Sequence, residues 1–463
     1  MKKIKYKTTI AIISVALMSF LGILTETSLN VTYPAMMKQF EIGLNTVQWA
    51  TTGYLLTIAI VMVTSSFFNR RVVTRKLFIT AVLGFSLGSL ISGVGPSFGW
   101  VLLGRILSTT GAGISTPLMF NLIVEIMPQE KWGSYMGIAG LVIVLAPTLG
   151  PTFGGLVSYY LNWQYIFIIA LIFAIVVLIA GLLVLENYHD AEKVKFDLIG
   201  FMILALAFIS LTLAVNQLSQ GFAHWESWLY FVVSVFCFIA FVRHESKVAI
   251  PLINLEVFAN HPFTLGLVAY FLLQFINIGT SFVLPNYIQI VNQQSSLVSG
   301  LLLLPGSIIS ALMNPCFGRM YDRFGGKLPL FCGASMMLLG TLCFTLLGLK
   351  LTVWMIIVFY AFLTFGHKMA FSNTMAEMLK RQNDQLKSDA TAVGQTAQQL
   401  AGSLGTAILA AIISINQVNA SNYRLATAKG SQLAFALTVG LLIIIIFCYI
   451  KLFNYNIHKK VGK

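Results

Sequence analysis

An all-α bundle of fourteen membrane-crossing helices, with both ends on the cytoplasmic face, is the fold class this sequence predicts. Three observations predict it. The 463 residues are 57% hydrophobic and only 10% charged, whereas soluble domains carry about 25% charge. Apolar stretches long enough to span a bilayer, about 20 residues each, recur fourteen times. The basic residues are distributed with the bias of the positive-inside rule. Of 29 Lys and Arg, only Lys38, Lys350, Arg424 and Lys429 fall in loops on one side; Arg105 and Lys368 lie inside spans, and the other 23 share the opposite side with both termini. One helix more or fewer would scramble that 23 to 4 asymmetry.

The spans centre on 10–33, 46–66, 77–95, 99–124, 134–158, 164–186, 197–216, 227–243, 261–289, 297–317, 328–348, 352–375, 391–415 and 432–453. A barrel is excluded, because its strands would read as short alternating segments. The basic start, Met1 to Lys7, runs into a long apolar segment without a small-residue cleavage site, so the first helix is expected to be retained. The loops Glu186 to Asp197 and Arg243 to Glu256 carry mixed charge and bracket spans 7 and 8. Setting those two spans aside leaves six before and six after. The expected organisation is an N-terminal six-helix bundle (1–190), a linker with two extra spans (191–255) and a C-terminal six-helix bundle (256–463). The longest outside loop is expected from Asn416 to Ser431. Cys237, Cys316, Cys332, Cys343 and Cys448 sit in or beside apolar segments without a CxxC pair, and read as small packers.

Function starts from Glu26, in the first span. A carboxylate at mid-helix costs about 2.5–3.5 kcal/mol on insertion scales, and such a residue is by default a proton or substrate carrier. Arg105, in the fourth span, needs a buried acceptor, and Glu26 is one candidate. If the first helix starts near Ile12, Glu26 lies ~21 Å from the inner face at 1.5 Å per residue. Arg105 lies ~10 Å below the outer face, so in a ~30 Å core the two depths nearly coincide. The alternative is that Arg105 snorkels outward.

Among other polar residues at membrane depth, Asn30, Trp49, Tyr54, Asn121, Gln274, Asn277, Lys368 and Gln395 are candidates for a substrate cavity, although most such groups tie helices together. Lys368 either carries a positive charge that alternates with substrate or snorkels to the inner face about two turns away. Glu125 and Glu377, near inner helix ends, are reserve proton carriers.

Three motifs stand on particular spans. After span 10 comes Gly318-Arg319-Met320-Tyr321-Asp322-Arg323-Phe324-Gly325-Gly326-Lys327, a GxxxDRxGxK run. It resembles the cytoplasmic signature loop of the major facilitator superfamily, with Gly318, Asp322, Arg323, Gly325 and Lys327 as its gating residues. The matching loop after span 2, Asn69 to Lys76, keeps its basic character but has Arg70 at the acid position. Span 4 carries Gly104-Arg105 and Gly111-Ala112-Gly113. Span 5 carries Pro147, Gly150, Pro151, Gly154 and Gly155, a GPxxGG pattern. Its glycines allow close helix approach, and its prolines release carbonyls and kink the helix.

With Trp49 to Tyr54, Leu304-Pro305-Gly306 and Gln395 to Gly405, the chain resembles the fourteen-helix drug:proton antiporters of the QacA/EmrB type over nearly its whole length. That resemblance implies the major facilitator fold and marks the span-5 motif as an exporter's. In the family an Asp usually precedes the TxxNVxxP stretch; here Thr27, Asn30, Val31 and Pro34 match, Thr25 occupies the Asp position, and the acid is Glu26. The one-residue displacement turns it about 100° around the helix.

The expected activity is proton-coupled efflux of small lipophilic, cationic compounds by alternating access of the two bundles. Glu26 and Arg105 would couple the proton. The alternatives are a metabolite or lipid exporter on the same fold and, more remotely, a non-transporting membrane sensor. No Walker loop or Ser/His/Asp constellation reads from the chain, so no enzyme is expected. Nor are a metal, a cofactor beyond the proton gradient or a nucleic-acid partner. A monomer in the bacterial cytoplasmic membrane, in contact with substrates, protons and lipids, is the expected form.

Overall fold

The computed structural model describes residues 2–127, 132–187, 196–217, 225–248, 251–418 and 420–461. Lys131, Lys193, Lys195 and most of the Glu186–Asp197 loop lie outside them. Among the described residues there are fourteen helices long and apolar enough to cross a membrane, and no strand. They are α1 (Lys2–Leu29), α2 (Trp49–Arg71), α3 (Thr74–Val94), α4 (Phe98–Ile126), α5 (Trp132–Tyr160), α6 (Tyr165–Val184), α7 (Leu198–Gln217), α8 (Trp225–Glu245), α9 (His261–Asn286), α10 (Ser296–Phe324), α11 (Lys327–Leu347), α12 (Val353–Lys380), α13 (Lys387–Gln417) and α14 (Tyr423–Val461). This is a multi-pass membrane protein.

Several helices overrun their expected ends. α10 reaches Phe324 and α12 reaches Lys380, while α14 begins at Tyr423, inside the segment expected as a long loop. Apolar length defines only the part of a helix in hydrocarbon; backbone hydrogen bonds carry it into the headgroup region until a cap stops it. The α10 stop is Gly325, whose φ of 76° suits glycine and whose N–H reaches the Tyr321 carbonyl at 2.8 Å. At helix starts, Asn260, Ser295 and Thr352 accept from the backbone N–H groups of Phe263, Val298 and Met355.

The packing repeats itself. α1 lies along α4, α5 and α6, as α9 lies along α12, α13 and α14. α3 pairs with α4 and α6, as α11 pairs with α12 and α14, and α2 packs on α4 as α10 does on α12. Two seams join the bundles: α5 with α10, and α2 with α13. Under the repeat, which matches α1 to α9 and so on, each seam is the image of the other. A parallel pair of six-helix repeats is one established transporter plan.

α7 and α8 form a separate hairpin that leans on α13 and α2 through α7. α8 turns Trp225, Trp228, Phe236 and other large apolar side chains outward. Two rings near its start suit a membrane interface. An apolar cavity of about 550 Å³ lies between the hairpin and α9 and α13, with Phe208, Phe238, Phe241 and Phe271 among its walls. At the cytoplasmic end the hairpin is tied by Asp197, which accepts from the Gly200 N–H at 3.0 Å and meets His244 Nε2 at 2.8 Å. Burial pushes the Asp197 carboxyl up, but the Gly200 N–H and His244 outweigh it and hold the group below the usual carboxylate range.

Candidate functional site

The outer half of the molecule is closed and built on the span-5 motif. A Cβ on Gly154 would strike the backbone of Ser28, and one on Gly150 would strike the Thr27 side chain, so α5 and α1 touch almost backbone to backbone. Gly155 faces the other way. A Cβ there would lie 2.6 Å from the Ser296 carbonyl oxygen of α10, and a Cβ on Gly300 of α10 would strike the Pro151 carbonyl. One glycine-proline stretch thus packs α5 against its own bundle and seals it to the other.

Among the described residues, the hydrogen bonds that join the bundles gather in this outer half. Thr152 Oγ1 donates to the Gly300 carbonyl at 3.2 Å, and Ser296 Oγ to the Gly155 carbonyl at 3.4 Å. On the second seam Ser403 Oγ donates to the Thr52 carbonyl at 3.1 Å, while Thr52 Oγ1 returns the contact to the Ser403 carbonyl at 3.5 Å. Gln289 Nε2 donates to the Val31 carbonyl at 2.7 Å. The outer half is thus held closed.

Just beneath the seal lies a buried polar cluster. Glu26 is 5% exposed and Arg105 1%. They feel each other's charge but form no ion pair within 4.0 Å, so the direct partnership that depth suggested is not made here. Arg105 neither snorkels nor reaches Glu26. Its Nε donates to the Ala50 carbonyl at 3.1 Å, and its guanidinium lies 3.7 Å above the Tyr54 ring, a cation–π contact. Both terminal nitrogens lack a hydrogen-bond partner. Tyr54 is fixed by donating to the Gly22 carbonyl at 3.0 Å. Nearby, Tyr33 hydrogen-bonds Thr51, whose hydroxyl donates to Asn30 Oδ1 at 3.3 Å. The sequence reading missed Tyr33 and Thr51. Their only signal was position, Tyr33 beside the TxxNVxxP proline and Thr51 one turn before Tyr54.

Between the bundles, inside the seal, is a small polar cavity. Thr27, Asn30, Pro147, Thr148 and Pro151 form one wall; Asn277, Ser281, Ser307, Tyr360, His367 and Lys368 stand in the other. Of the residues expected at a substrate cavity, Asn30, Asn277 and Lys368 line this one. Trp49, Asn121, Gln274 and Gln395 are not among its walls, and Tyr54 is not either, because it serves as the platform under Arg105. Trp49 packs against the core and Asn121 is exposed. Glu26 sits off the cavity, around the helix from Thr27.

On the cytoplasmic side Asp322 is exposed, as are Arg323, Gly325 and Lys327. Arg323 covers the Phe324 ring. Tyr321 is the residue of this loop that is engaged: its hydroxyl donates to Glu377 at 2.7 Å, and Glu377 forms an ion pair with Arg381 at 2.5 Å. Arg381 also donates to the Leu452 carbonyl at 2.9 Å, tying α12 to α14. Glu377 is thus a paired latch carboxylate, which weakens its standing as a reserve proton carrier. In the loop after α2, Arg75 donates to the Leu182 carbonyl at the end of α6; the side chains of Asn69 and Arg70 lie outside the described residues.

Comparison with known proteins matches residues 15–406 to the Major Facilitator Superfamily. Two relatives are lincomycin resistance proteins LmrB. The one from Bacillus subtilis (strain 168) is 32% identical over 416 residues, covering 89% of this chain and 87% of its own. The one from Listeria monocytogenes serovar 1/2a is 34% identical over 436 residues, covering 93% and 91%. Among solved structures, a bacterial homolog of the human lysosomal transporter Spinster, inward-facing and unoccupied, superposes with a TM-score of 0.71 at 13% identity, over 96% of this chain and 97% of that one.

Proposed function

The chain belongs to the major facilitator superfamily, and on that premise we propose that it is a proton-coupled exporter of lipophilic drug-like compounds. Export of drugs is supported by the two lincomycin resistance relatives and by the glycine-proline motif that forms the α5 seam. Proton coupling rests on one observation: Glu26 is a carboxylate buried at membrane depth with no salt-bridge partner, beside a fixed guanidinium.

The cycle follows from that geometry. With the outer seams closed, Glu26 loses its proton to the cytoplasmic side and compound binds in the central cavity. When the seams part, Glu26 faces the more acidic outside and is protonated. Its charge no longer balances the nearby Arg105 guanidinium, and that change favours release and the return swing. Arg105 acts as the fixed counter-charge, held by Ala50 and Tyr54 while Glu26 changes state. Asp322, free in the inward-facing form, latches the cytoplasmic loops when that side closes. Proton affinity that differs between the two states couples ion to compound.

The test is uptake of a fluorescent lipophilic drug into inside-out vesicles under an imposed gradient, acid inside. Wild type accumulates it, and folded Glu26→Gln, held at the charge of the protonated form, does not. Gradient-driven uptake by Glu26→Gln overturns the role of Glu26. No transport of any such drug by wild type favours the metabolite exporter instead.

A further inference from the structure

The charge in the central cavity is positive, although a cationic substrate was expected. Among its described walls Lys368 is the charged side chain, and no Asp or Glu contributes. Lys368 has no ion pair or hydrogen bond among the described residues. Its place in the cavity wall between the bundles, rather than on a lipid-facing side of α12, speaks against snorkelling. Next to it His367 is 2% exposed, and neither ring nitrogen has a partner. A neutral imidazole always offers one donor and one acceptor, and buried polar groups are nearly always satisfied. The Tyr360 hydroxyl, which accepts from Ser307 at 3.4 Å and so keeps its own proton to donate, stands in the same wall.

From this wall we infer that the exported compound carries an anionic head group, a carboxylate or an equivalent oxyanion, which docks on Lys368 and His367. The inference rests on the export reading and narrows its substrate class. The room available, about 30 Å³, suits such a head and not a whole drug; on this measure one water needs roughly 10–15 Å³. The lipophilic body has its own surface. His367 stacks on Phe371 with centroids 4.8 Å apart, and Phe371 stacks on Tyr270 at 4.2 Å, an aromatic ladder leading from the head-group site towards the cytoplasm. Tyr270 is held by its hydroxyl, which donates to Gln398 at 2.8 Å. A cation at one end and flat apolar rings along the path fit an amphipathic anion. A purely cationic drug would meet repulsion from Lys368 there.

The experiment uses two fluorescent lipophilic probes that differ only in a free carboxylate or its methyl ester. Binding and gradient-driven uptake are measured with the full-length protein in phosphatidylcholine vesicles, where no anionic lipid competes for the site. Wild type is expected to prefer the carboxylate at least tenfold. Lys368→Gln should bring the ratio close to one, and Lys368→Arg should retain most of it. Equal binding of both probes by wild type overturns the inference without any variant, as does Lys368→Gln that folds and keeps the preference. A carboxylate preference lost in Lys368→Arg as fully as in Lys368→Gln also overturns it, since charge would then not be what selects. If wild type moves neither probe nor any neutral lipophilic dye, it is the export reading that fails.

Discussion

Replacing Gly155 by alanine separates the seal between the bundles from the packing within them. The new Cβ would lie 2.6 Å from the Ser296 carbonyl oxygen and 3.4 Å from the Gly300 Cα. Both are backbone atoms of α10, so no side chain can swing clear. Overpacking of this kind costs about 1–3 kcal/mol. The cost falls on the outer-closed state, because once α5 and α10 part the methyl meets nothing of α10. The equilibrium should therefore move towards the outer-open state by about 5–150-fold. A cysteine replacing Ser281, which lines the cavity, reports this in a background without the five native cysteines. Its labelling by a membrane-impermeant maleimide added outside should rise by that factor. Gly154→Ala is the control: its clash is with Ser28 of α1, in the same bundle, so it should lower stability without raising labelling. Unchanged labelling in folded Gly155→Ala, or an equal rise in Gly154→Ala, would refute the assignment of the two faces.

Arg381→Ala strips a buried carboxylate of its partner and should cost about 3–5 kcal/mol, read as a lower unfolding temperature in detergent; a paired Glu377→Gln, Arg381→Met replacement should cost clearly less. Asp197→Asn should lower stability at pH 6. A carboxyl whose folded value is depressed stabilises above its unfolded value of about 3.9 and loses that contribution as pH falls through the folded value. The penalty of the substitution should therefore disappear in strong acid, and a penalty that grows as pH falls would contradict the Gly200 and His244 contacts.

The fourteen crossings were legible because hydrocarbon thickness imposes length and composition on every span, and because Lys and Arg record which loops stay inside. Proximity was legible too: Glu26 and Arg105 feel each other's charge. What a depth argument leaves open is direction around the helix, and that decided the partner. Arg105 points at Ala50 and the Tyr54 ring, and only the placement of α2 against α4 reveals it. The same gap misplaced Tyr54, which was expected in the cavity. The Tyr321–Glu377–Arg381 latch joins residues 56 and four positions apart. Only its i, i+4 ion pair has a sequence signature. The motif glycines on α5 were legible as close-packing residues, but a pattern alone does not say that Gly154 and Gly155 serve different neighbours.

The two seams are images of one another in the repeat, yet they are made of different material. Both carry two hydroxyl-to-carbonyl bonds, but along α5 and α10 these run beside glycines packed directly on carbonyls, which leaves the two backbones no room to adjust. Along α2 and α13, Thr52 and Ser403 exchange hydroxyl-to-carbonyl bonds that water can replace one at a time. The outer face therefore has a stiff margin and a yielding one. Opening is thus expected to start at the α2 edge and to be completed at the α5 edge, where a substitution should cost more.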